Sequence, residues 1–485
     1  MARAADIFRR LLIAVAVLAL AALAVTVYAY RRLSREEPPP RFASGQEHFL
    51  YGSIGTEADG VPYWVWLVLP RIFPEYLPGP GGYSALGFDT REGRDMPIGL
   101  SKVVTGGVAR VGINCAFCHT ARVRTRAGDL STIVPAAPGH QVNWERYRRF
   151  LIACASDPRF TAATLLAEID RNYSLPAFER MLYKAVIIPR TRRALLQLPS
   201  AGEDGAAEIG PGRSPAFGIG MLPRAGDAHP LRAAADSMPL WGLGRQRAAF
   251  YWDGMNTTLT EVIAAWALAS GAPVSWLDRD AADTASSGAA SSSLQRIQNY
   301  LAETSPPKYP LPIDAALAKA GEAVFTAECA ACHAAGGPQT GAVVPYDKVG
   351  TDRARLDAWS ADAATAYNSA FSGKGWAFSS FRKTAGFVSP PLDGVWLRAP
   401  YLHNGSVPAL ADLLNPADLR PKQFWRGYDV LDAAGVGFVS SGAEAERAGA
   451  IYDTSLPGNG NGGHLFGTAL PPDQKRALIE YLKGL

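Results

Sequence analysis

Two short stretches, Cys115-Ala116-Phe117-Cys118-His119 and Cys329-Ala330-Ala331-Cys332-His333, repeat one pattern of two cysteines and a histidine. This pattern is the attachment sequence of c-type haem. Its two thiols bind the haem edge through thioether bonds, and the imidazole that follows ligates the iron. A zinc site would need four ligands close together, and a thioredoxin-type pair would not carry the histidine twice. The sequence therefore predicts two covalent haem c groups, with iron on His119 and His333.

The composition describes a loop-rich globular protein. The chain has 485 residues, of which 48% are apolar, with 48 Gly and 36 Pro. This length has room for two or three domains. There are 48 Lys and Arg against 44 Asp and Glu, a net charge of +4, and no Lys/Arg stripe. The sequence therefore predicts that the protein has no nucleic-acid partner.

The N-terminus predicts a membrane anchor. Residues 11–30 contain no charge, Pro or Gly, and pairs of arginines flank them. That length suits a bilayer-crossing helix, whereas a cleaved signal sequence has a shorter apolar stretch. We favour an uncleaved anchor over a cleaved signal that would release the protein. Either one places the rest of the chain outside the cytoplasm. The prolines of residues 38–40 then predict a stiff spacer that lifts the globular part off the membrane.

The segments around the second haem motif predict helices that cross each other. Leu317, Gly321 and Phe325 recur at four-residue spacing before the motif, and a helix opening at Pro472 ends the chain. A helix entering the haem motif and a last helix crossing it resemble the cytochrome c fold. Residues 269–310 are rich in Ala, Ser, Asp and Pro, which favours a linker.

The expected fold is mainly α, with two cytochrome-c-like haem domains and an N-terminal transmembrane helix. We predict an anchor and spacer at 1–40 and a first haem domain at 45–268. An Ala/Ser-rich linker or insertion follows at 269–307, and a second haem domain at 308–485.

Longer stretches resemble the bacterial di-haem cytochrome c peroxidase and MauG superfamily. They occur on both predicted domains and in the same order as in that superfamily. The stretches are Leu240-Trp241-Gly242, Phe250-Tyr251-Trp252-Asp253-Gly254, Leu259-Thr260-Glu261, and residues 399–406 (Ala-Pro-Tyr-Leu-His-Asn-Gly-Ser).

A closer likeness is to the rubber oxygenase branch, haem dioxygenases that cleave polyisoprene. The similar stretches are residues 51–57 (Tyr-Gly-Ser-Ile-Gly-Thr-Glu), 62–64, 69–71, 73–74, 77–83 and 453–464. This resemblance implies oxidation of a hydrophobic or unsaturated substrate, on the periplasmic side of the bacterial inner membrane.

Departures from the peroxidases concern the helix expected to border the first haem. In the peroxidases a Gln follows the Glu that aligns with Glu261, and an acid lies about ten residues further on. Here the first position is Val262, and residues 263–273 contain no acid. Proton transfer needs a group within hydrogen-bond reach. An apolar pocket lined by Trp266 suits dioxygen and a hydrophobic substrate, although Trp266 could equally be the packed face of an amphipathic helix. Gly242 replaces a calcium-holding Asn, which speaks against calcium between the domains.

Axial ligands of the second haem are argued by elimination. The predicted second domain contains no methionine, and its remaining histidines are His403 and His464. His464 lies in a glycine-rich loop that could approach the iron, and the rubber oxygenase likeness supports a histidine from this tail. We predict a bis-histidine pair of His333 and His464, with His403 as the alternative. Such a haem is a low-spin electron carrier.

The first haem would then be the reactive one. His140 is either its sixth ligand or a hydrogen-bonded neighbour, and the second is favoured because an oxygenase needs an open iron. The superfamily resemblance makes Trp252 an electron relay between the haems, with core packing as the alternative. His48 and His229 are expected on the surface, and Cys154 as a buried thiol.

The leading functional hypothesis is a haem-dependent oxidoreductase using dioxygen, or peroxide, on a hydrophobic or isoprenoid molecule. Two alternatives remain. One is a peroxidase reducing hydrogen peroxide with electrons from a partner cytochrome. The other is an electron-transfer cytochrome with both irons closed.

Overall fold

The computed structural model describes residues 2–37, 39–198, 208–216, 233–243, 249–250, 252–287 and 292–485. About 46% of the chain is helical, in agreement with the mainly α prediction. The longer α-helices are Ala2–Leu33, Tyr63–Ile72, Trp144–Ser156, Ala162–Asn172, Ile188–Leu196, Leu259–Ala269, Val274–Ser287, Ser293–Glu303, Ala315–Glu328, Ala361–Ala370 and Pro472–Leu482. The shorter ones are Gly45–Tyr51, Ala177–Leu182, Ala330–His333, Tyr346–Val349, Ala354–Asp357, Leu410–Leu413 and Ala443–Ala448.

Segments between these helices form small antiparallel sheets. The largest described sheet has three strands, with Val108–Ile113 between Val61–Pro62 and Leu100–Thr105. The others are the pairs Thr120–Val123 with Thr132–Pro135, Arg213–Ser214 with Ala235–Asp236, Val343–Pro345 with Gly386–Val388, Gln423–Arg426 with Ala450–Asp453, and Leu431–Asp432 with Gly437–Phe438.

The N-terminal helix Ala2–Leu33 is long and apolar enough to cross a membrane, and its apolar side chains are exposed. This agrees with an anchor or a signal sequence. Its last turns contact the globular part, because the Tyr28 ring lies 5.0 Å from that of Phe178 and Arg32 forms an ion pair with Glu179. After the helix, the Glu37 amide donates to the Val104 carbonyl oxygen at 3.2 Å. Residues 28–37 therefore contact the globular part, and the spacer predicted at residues 36–41 remains a prediction.

The helices before the second haem motif and at the C-terminus cross at a glycine, as predicted. Asp314 caps the helix Ala315–Glu328 through its side chain. A Cβ on Gly321 would lie 1.9 Å from the Ala477 carbonyl oxygen of the helix Pro472–Leu482. The Phe325 and Tyr481 rings lie 5.2 Å apart beside this crossing. Glycine is thus required here by close approach of the two backbones.

Helices occupy most of the segment 269–307 that the composition predicts to be a linker or exposed insertion. The helix Ser293–Glu303 buries Ile297 and Leu301 in a core shared with the helix Leu259–Ala269. Small residues dominate the segment, but the helix carries apolar side chains at a four-residue interval, and these decide its packing. Residues 288–291 lie outside the described part of the chain. The domain boundaries remain a prediction.

Candidate haem sites and the cavity between them

The first haem motif begins directly after the strand Val108–Ile113. The side chain of Asn114 fixes its start, since Asn114 Oδ1 accepts from the Ala116 amide at 3.0 Å. Asn114 Nδ2 donates to the carbonyl oxygens of Leu50 at 3.2 Å and Gly52 at 3.1 Å. One buried amide thus joins the haem motif to residues 51–57, which the sequence singled out without a structural reason.

His119 is oriented by a backbone carbonyl. Its Nδ1 lies 2.8 Å from the Met238 carbonyl oxygen. Burial lowers the pKa of His119 to about 4, so the imidazole is neutral at physiological pH. A hydrogen bond at Nδ1 leaves Nε2 to ligate a metal, which is the usual arrangement of metal-ligating histidines.

His333 repeats this arrangement in the second half of the chain. Its Nδ1 lies 2.7 Å from the Pro390 carbonyl oxygen, and burial lowers its pKa. Both motif histidines thus have neutral rings whose Nε2 atoms can bind iron. The sequence could not identify Met238 or Pro390, because backbone carbonyls act here and these leave no mark on residue type.

The cysteines fit haem attachment better than a metal–thiolate site. All five cysteines are free, and burial raises the pKa of Cys115 and Cys118 to about 12 and that of Cys329 to about 11. Within the described residues no group of three or more His, Cys, Asp and Glu could hold a metal ion. Two free thiols beside a carbonyl-oriented histidine are the groups that haem c needs, the thiols for thioether bonds to the haem edge and the imidazole for the iron. Cys154 is fully buried, as predicted.

The structure brings His464 to His333. Their ring centroids lie 6.2 Å apart. A metal bound at about 2 Å by both imidazole nitrogens, the usual length for metal–histidine bonds, separates two ring centroids by about 6 Å. Burial lowers the pKa of His464 to about 4, so this ring is also neutral. The pair therefore fits the two axial positions of one haem iron.

Arg420 holds the loop that carries His464. Its guanidinium donates to the carbonyl oxygens of Asn461 at 2.6 Å, Gly463 at 2.9 Å and His464 at 3.2 Å. The His464 amide donates to the Val349 carbonyl oxygen at 2.6 Å. His464 adopts a φ of 44°, in the left-handed region that a histidine rarely enters. The loop is thus fixed by hydrogen bonds although it is rich in glycine.

His403, the alternative ligand, lies elsewhere. Its ring is buried and stacks on Phe387 with centroids 4.3 Å apart. Burial, with the charges of Arg355 and Arg213, lowers its pKa to about 3. Among the described residues, no ring contact joins His403 to His333. The geometry of the second site therefore favours His464.

His140 packs between the two halves of the chain. Its ring lies 3.7 Å from that of Phe438, and its Nε2 contacts the Gln141 side chain. Burial lowers its pKa to about 3. The neighbouring Gly139 amide donates to the Cys118 carbonyl oxygen at 2.9 Å, so the backbone at this point adjoins the haem motif. The arrangement favours a packed neighbour over a sixth ligand.

Of the two histidines expected on the surface, His48 is buried instead. Its Nε2 lies 2.8 Å from Ser293 Oγ, and its exposed fraction is 2%. The expectation was wrong because the helix Ser293–Glu303, predicted to be linker, covers this side chain. His229 lies outside the described residues.

One cavity is lined by both Met238 and Pro390, the residues whose carbonyl oxygens contact the two motif histidines. Its lining residues are Met238, Pro239, Trp241, Trp252, Val388, Pro390, Pro391, Asp393 and Arg398. Trp252 is half-buried, and its Nε1 donates to the Asp236 carbonyl oxygen at 3.0 Å. The Trp252 carbonyl oxygen accepts from the Val388 amide at 2.8 Å. Trp252 thus bridges the peptide segments that orient His119 and His333.

The helix Leu259–Ala269 lies under aromatic side chains of the second half, here called the aromatic cluster. Its neighbouring rings are 4.9 to 6.2 Å apart. The cluster consists of Trp359, Tyr367, Phe371, Trp376, Phe378 and Phe381. Val262 is buried in the same core, and Trp266 and Cys115 pack against it. The surroundings of the first haem motif are therefore strongly apolar, and the sequence did not indicate that residues 354–382 contribute to them.

Glu261 fastens this helix to the aromatic cluster. Its carboxylate accepts from the amides of Ser379 and Ser380 at 3.0 Å each, from their hydroxyls at 2.8 and 2.7 Å, and from Asn256 Nδ2 at 3.1 Å. Burial raises its pKa, but these hydrogen bonds outweigh that effect and lower the pKa below its ordinary value. Glu261 is therefore an ionised tether and not a proton donor.

Two family models match the second half of the chain. The model described as RoxA-like, cytochrome c-like matches residues 386–426, and the model for subunit III of cbb3-type cytochrome c oxidase matches residues 316–387. The second match includes the motif Cys329–His333, and the first includes Pro390 and His403.

Two uncharacterised proteins of Sinorhizobium fredii are also similar. One, y4iM, is 32% identical over 231 residues, which are 39% of this chain and 52% of that protein. The other, y4iJ, is 44% identical over 108 residues, which are 20% of this chain and 18% of that protein. The chain thus spans about half, or less, of the length of these relatives. Together with the geometry around His333, the family matches support a c-type cytochrome with covalent haem c and a redox function.

Proposed function

We propose that this chain is an extracytoplasmic, membrane-anchored di-haem oxidoreductase. In this proposal the iron on His119 is the reactive centre, and the iron on His333 and His464 transfers electrons. The observation that carries it is the shared cavity: Met238 and Pro390 accept from the two haem histidines, and both line one cavity with Trp252. Two motifs so closely joined suit one function better than two separate carriers.

The second site supports the role of electron carrier. His333 and His464 face each other at a separation suited to one iron, and Arg420 fixes the loop behind His464. Two axial imidazoles leave no position for a substrate. The site is therefore expected to exchange electrons only.

The first site supports the reactive role. Within the described part of the chain, no second histidine ring contacts His119. Val262 is apolar and Glu261 is held by five hydrogen bonds, so neither supplies a proton to a bound ligand. When bound, the haem on His119 would supply the activation of dioxygen or peroxide. This chain's own residues would orient the iron-binding imidazole through the Met238 carbonyl oxygen and hold Trp252 beside the cavity that Met238 and Pro390 line.

The substrate class follows from the same surroundings. The aromatic cluster and Trp266 belong to the apolar core against which Cys115 packs, and an apolar interior beside the first motif suits a hydrophobic molecule better than a polar one. The N-terminal helix contacts the globular part at Phe178 and Glu179. If the helix is retained, the enzyme lies at the membrane surface. A membrane-accessible unsaturated lipid or isoprenoid suits this position better than a solid polymer.

The experiment compares the two oxidants. The reduced full-length protein is mixed with dioxygen or with hydrogen peroxide, with and without an unsaturated isoprenoid lipid in detergent, and substrate loss is measured. Oxidation of the lipid that depends on dioxygen supports the proposal. Rapid peroxide consumption without lipid oxidation would favour a peroxidase, and no reaction with either oxidant would favour an electron carrier.

A further inference from the structure

Arg213 is a buried cation with an unused donor. It lies on the strand Arg213–Ser214 and is 4% exposed. Its terminal nitrogens donate to the carbonyl oxygens of Ile209 at 3.2 Å and Ala234 at 2.9 Å. Its Nε is buried and has no hydrogen-bond partner. By comparison, the buried Arg420 uses all three of its guanidinium nitrogens in five bonds to carbonyl oxygens.

Arg213 has no ion-pair partner of its own in the described part of the chain. Its guanidinium lies 5.0 Å from the centroid of the Tyr452 ring, and that of Arg426 lies 5.5 Å from the same centroid. Asp236 is the carboxylate buried here, and it forms its ion pair with Arg426. Within the described residues, no carboxylate forms a salt bridge with Arg213. Asp236 thus attracts both guanidiniums but forms its ion pair with Arg426.

Of the other carboxylates nearby, Asp352 attracts the Arg213 guanidinium, but none among the described residues forms an ion pair with it. Asp352 is half-buried and accepts from the amides of Gly460 at 3.2 Å and Ala354 at 2.8 Å. Asp253 pairs with Arg355 at 3.4 Å. His403 is neutral at physiological pH because burial and the charges of Arg355 and Arg213 lower its pKa to about 3. Arg213 thus keeps a buried donor without an acceptor, and a carboxylate at this point would satisfy that donor and add a direct ion pair.

This group of charges adjoins the loop that leads to the second haem. Asn404 Nδ2 donates to the carbonyl oxygens of Gly458 at 3.2 Å and Gly460 at 3.0 Å, on the chain leading to His464. The Tyr452 hydroxyl donates to the Asn404 carbonyl oxygen at 3.1 Å.

The same group of charges also adjoins the residues around the first haem. The strand of Arg213 pairs with Ala235–Asp236, and that segment leads on to Met238 beside His119. The hydroxyl of Ser406 is buried without a hydrogen-bond partner in the turn that follows Asn404. Arg213 is therefore linked on one side to the segment that orients His119 and on the other, through Tyr452, to the loop that carries His464.

We propose that Arg213 binds the carboxylate of a haem propionate and supplies its counter-charge. Haem carries two propionates, and these are the anions that the two attachment motifs would bring into the protein. Arg213 belongs to the predicted first half, while Tyr452 and Asn404 belong to the second. The carboxylate of the haem would therefore join the two halves. This inference rests on the proposed haem content.

The test measures the reduction potential of each haem in the full-length protein. Arg213→Gln removes the cation, so the oxidised haem is stabilised and the potential of one haem falls. The freed propionate also titrates at a higher pH, so the potential becomes more dependent on pH near neutrality. Arg213→Lys keeps the charge but not the fork of donors and shows a smaller fall. The control is Arg190→Gln, an exposed arginine on the helix Ile188–Leu196, which leaves both potentials unchanged.

Each outcome is decisive. A fall at one haem supports the proposal and identifies which haem carries the bound propionate. Unchanged potentials and pH dependence in both variants overturn it, since the gap at Nε would then hold water only. If Arg213→Gln does not fold, the potentials of Arg213→Lys are compared with those of the parent instead. Haem content is measured first by the absorbance of the pyridine complex. A parent with a single haem would contradict the proposed function, while the potential of that haem would still test Arg213.

Discussion

The imidazole of His464 faces that of His333 across 6.2 Å. The two residues are far apart in the chain. Their contact depends on a loop whose carbonyl oxygens accept hydrogen bonds from Arg420. The protein's own hydrogen bonds, from Arg420 and to the Val349 carbonyl oxygen, therefore fix the backbone at His464. Such preorganisation favours one ligand set over its alternatives.

Replacement of His464 changes the second haem. With His464→Ala, the iron on His333 loses one imidazole and becomes high-spin or binds an external ligand. Low-temperature EPR of the oxidised protein detects the loss of one low-spin signal. The matched control is His403→Ala, which removes a buried histidine from the same half of the chain. We expect it to reduce stability but to keep the low-spin signal; loss of that signal in His403→Ala would assign the ligand to His403 instead.

Replacement of His140 separates packing from ligation. His140 lies against Phe438 and is neutral because burial lowers its pKa to about 3. His140→Ala should reduce the free energy of unfolding by about 1–3 kcal/mol, in the range of a lost core contact. The optical and EPR spectra of the first haem should not change. A new high-spin signal in this variant would show that His140 is an axial ligand.

Trp252→Phe tests electron transfer through the cavity. The substitution removes the hydrogen bond from Nε1 to the Asp236 carbonyl oxygen and raises the energy needed to oxidise the ring. Transfer between the haems should slow by about tenfold or more, equivalent to about 1.4 kcal/mol in the barrier, with both potentials unchanged. Pulse radiolysis measures this rate. Trp66→Phe, a buried tryptophan stacked on Tyr83, serves as the control, and equal rates in the two variants would exclude Trp252 as a relay.

Glu261→Gln tests the hydrogen bonds that join the helix Leu259–Ala269 to the segment carrying the aromatic cluster. The variant weakens hydrogen bonds to a charged acceptor, so it should unfold with about 2 kcal/mol less free energy at pH 7. The pKa of Glu261 lies below its ordinary value of 4.5 in the folded protein. Its contribution is therefore present above that value and lost as the pH falls through the folded pKa. Denaturation at pH 7 and at lower pH should show the difference between parent and variant decreasing as the pH is lowered; a constant difference would mean that the charge plays no part.

Sequence patterns were most informative where residue type itself determines chemistry or packing. The haem motifs, the helix before Cys329 with its glycine crossing, and the buried Cys154 were all readable in this way. Met238 and Pro390 were not, because they act through backbone carbonyls. His48 was expected on the surface, and residues 293–303 were expected in a linker. Small residues dominate that segment, so its few apolar side chains, which tertiary contacts bury, were overlooked. The aromatic cluster also depends on contacts between distant segments.

The proposed function requires one iron closed by two histidines and one iron that remains reactive. Low-temperature EPR and optical spectra of the purified protein, with carbon monoxide added to the reduced form, distinguish the two irons. We expect one low-spin haem that His464→Ala alone disturbs, and a second haem that binds carbon monoxide. Two low-spin haems, neither of which binds the gas, would overturn the proposed function and make the protein an electron carrier.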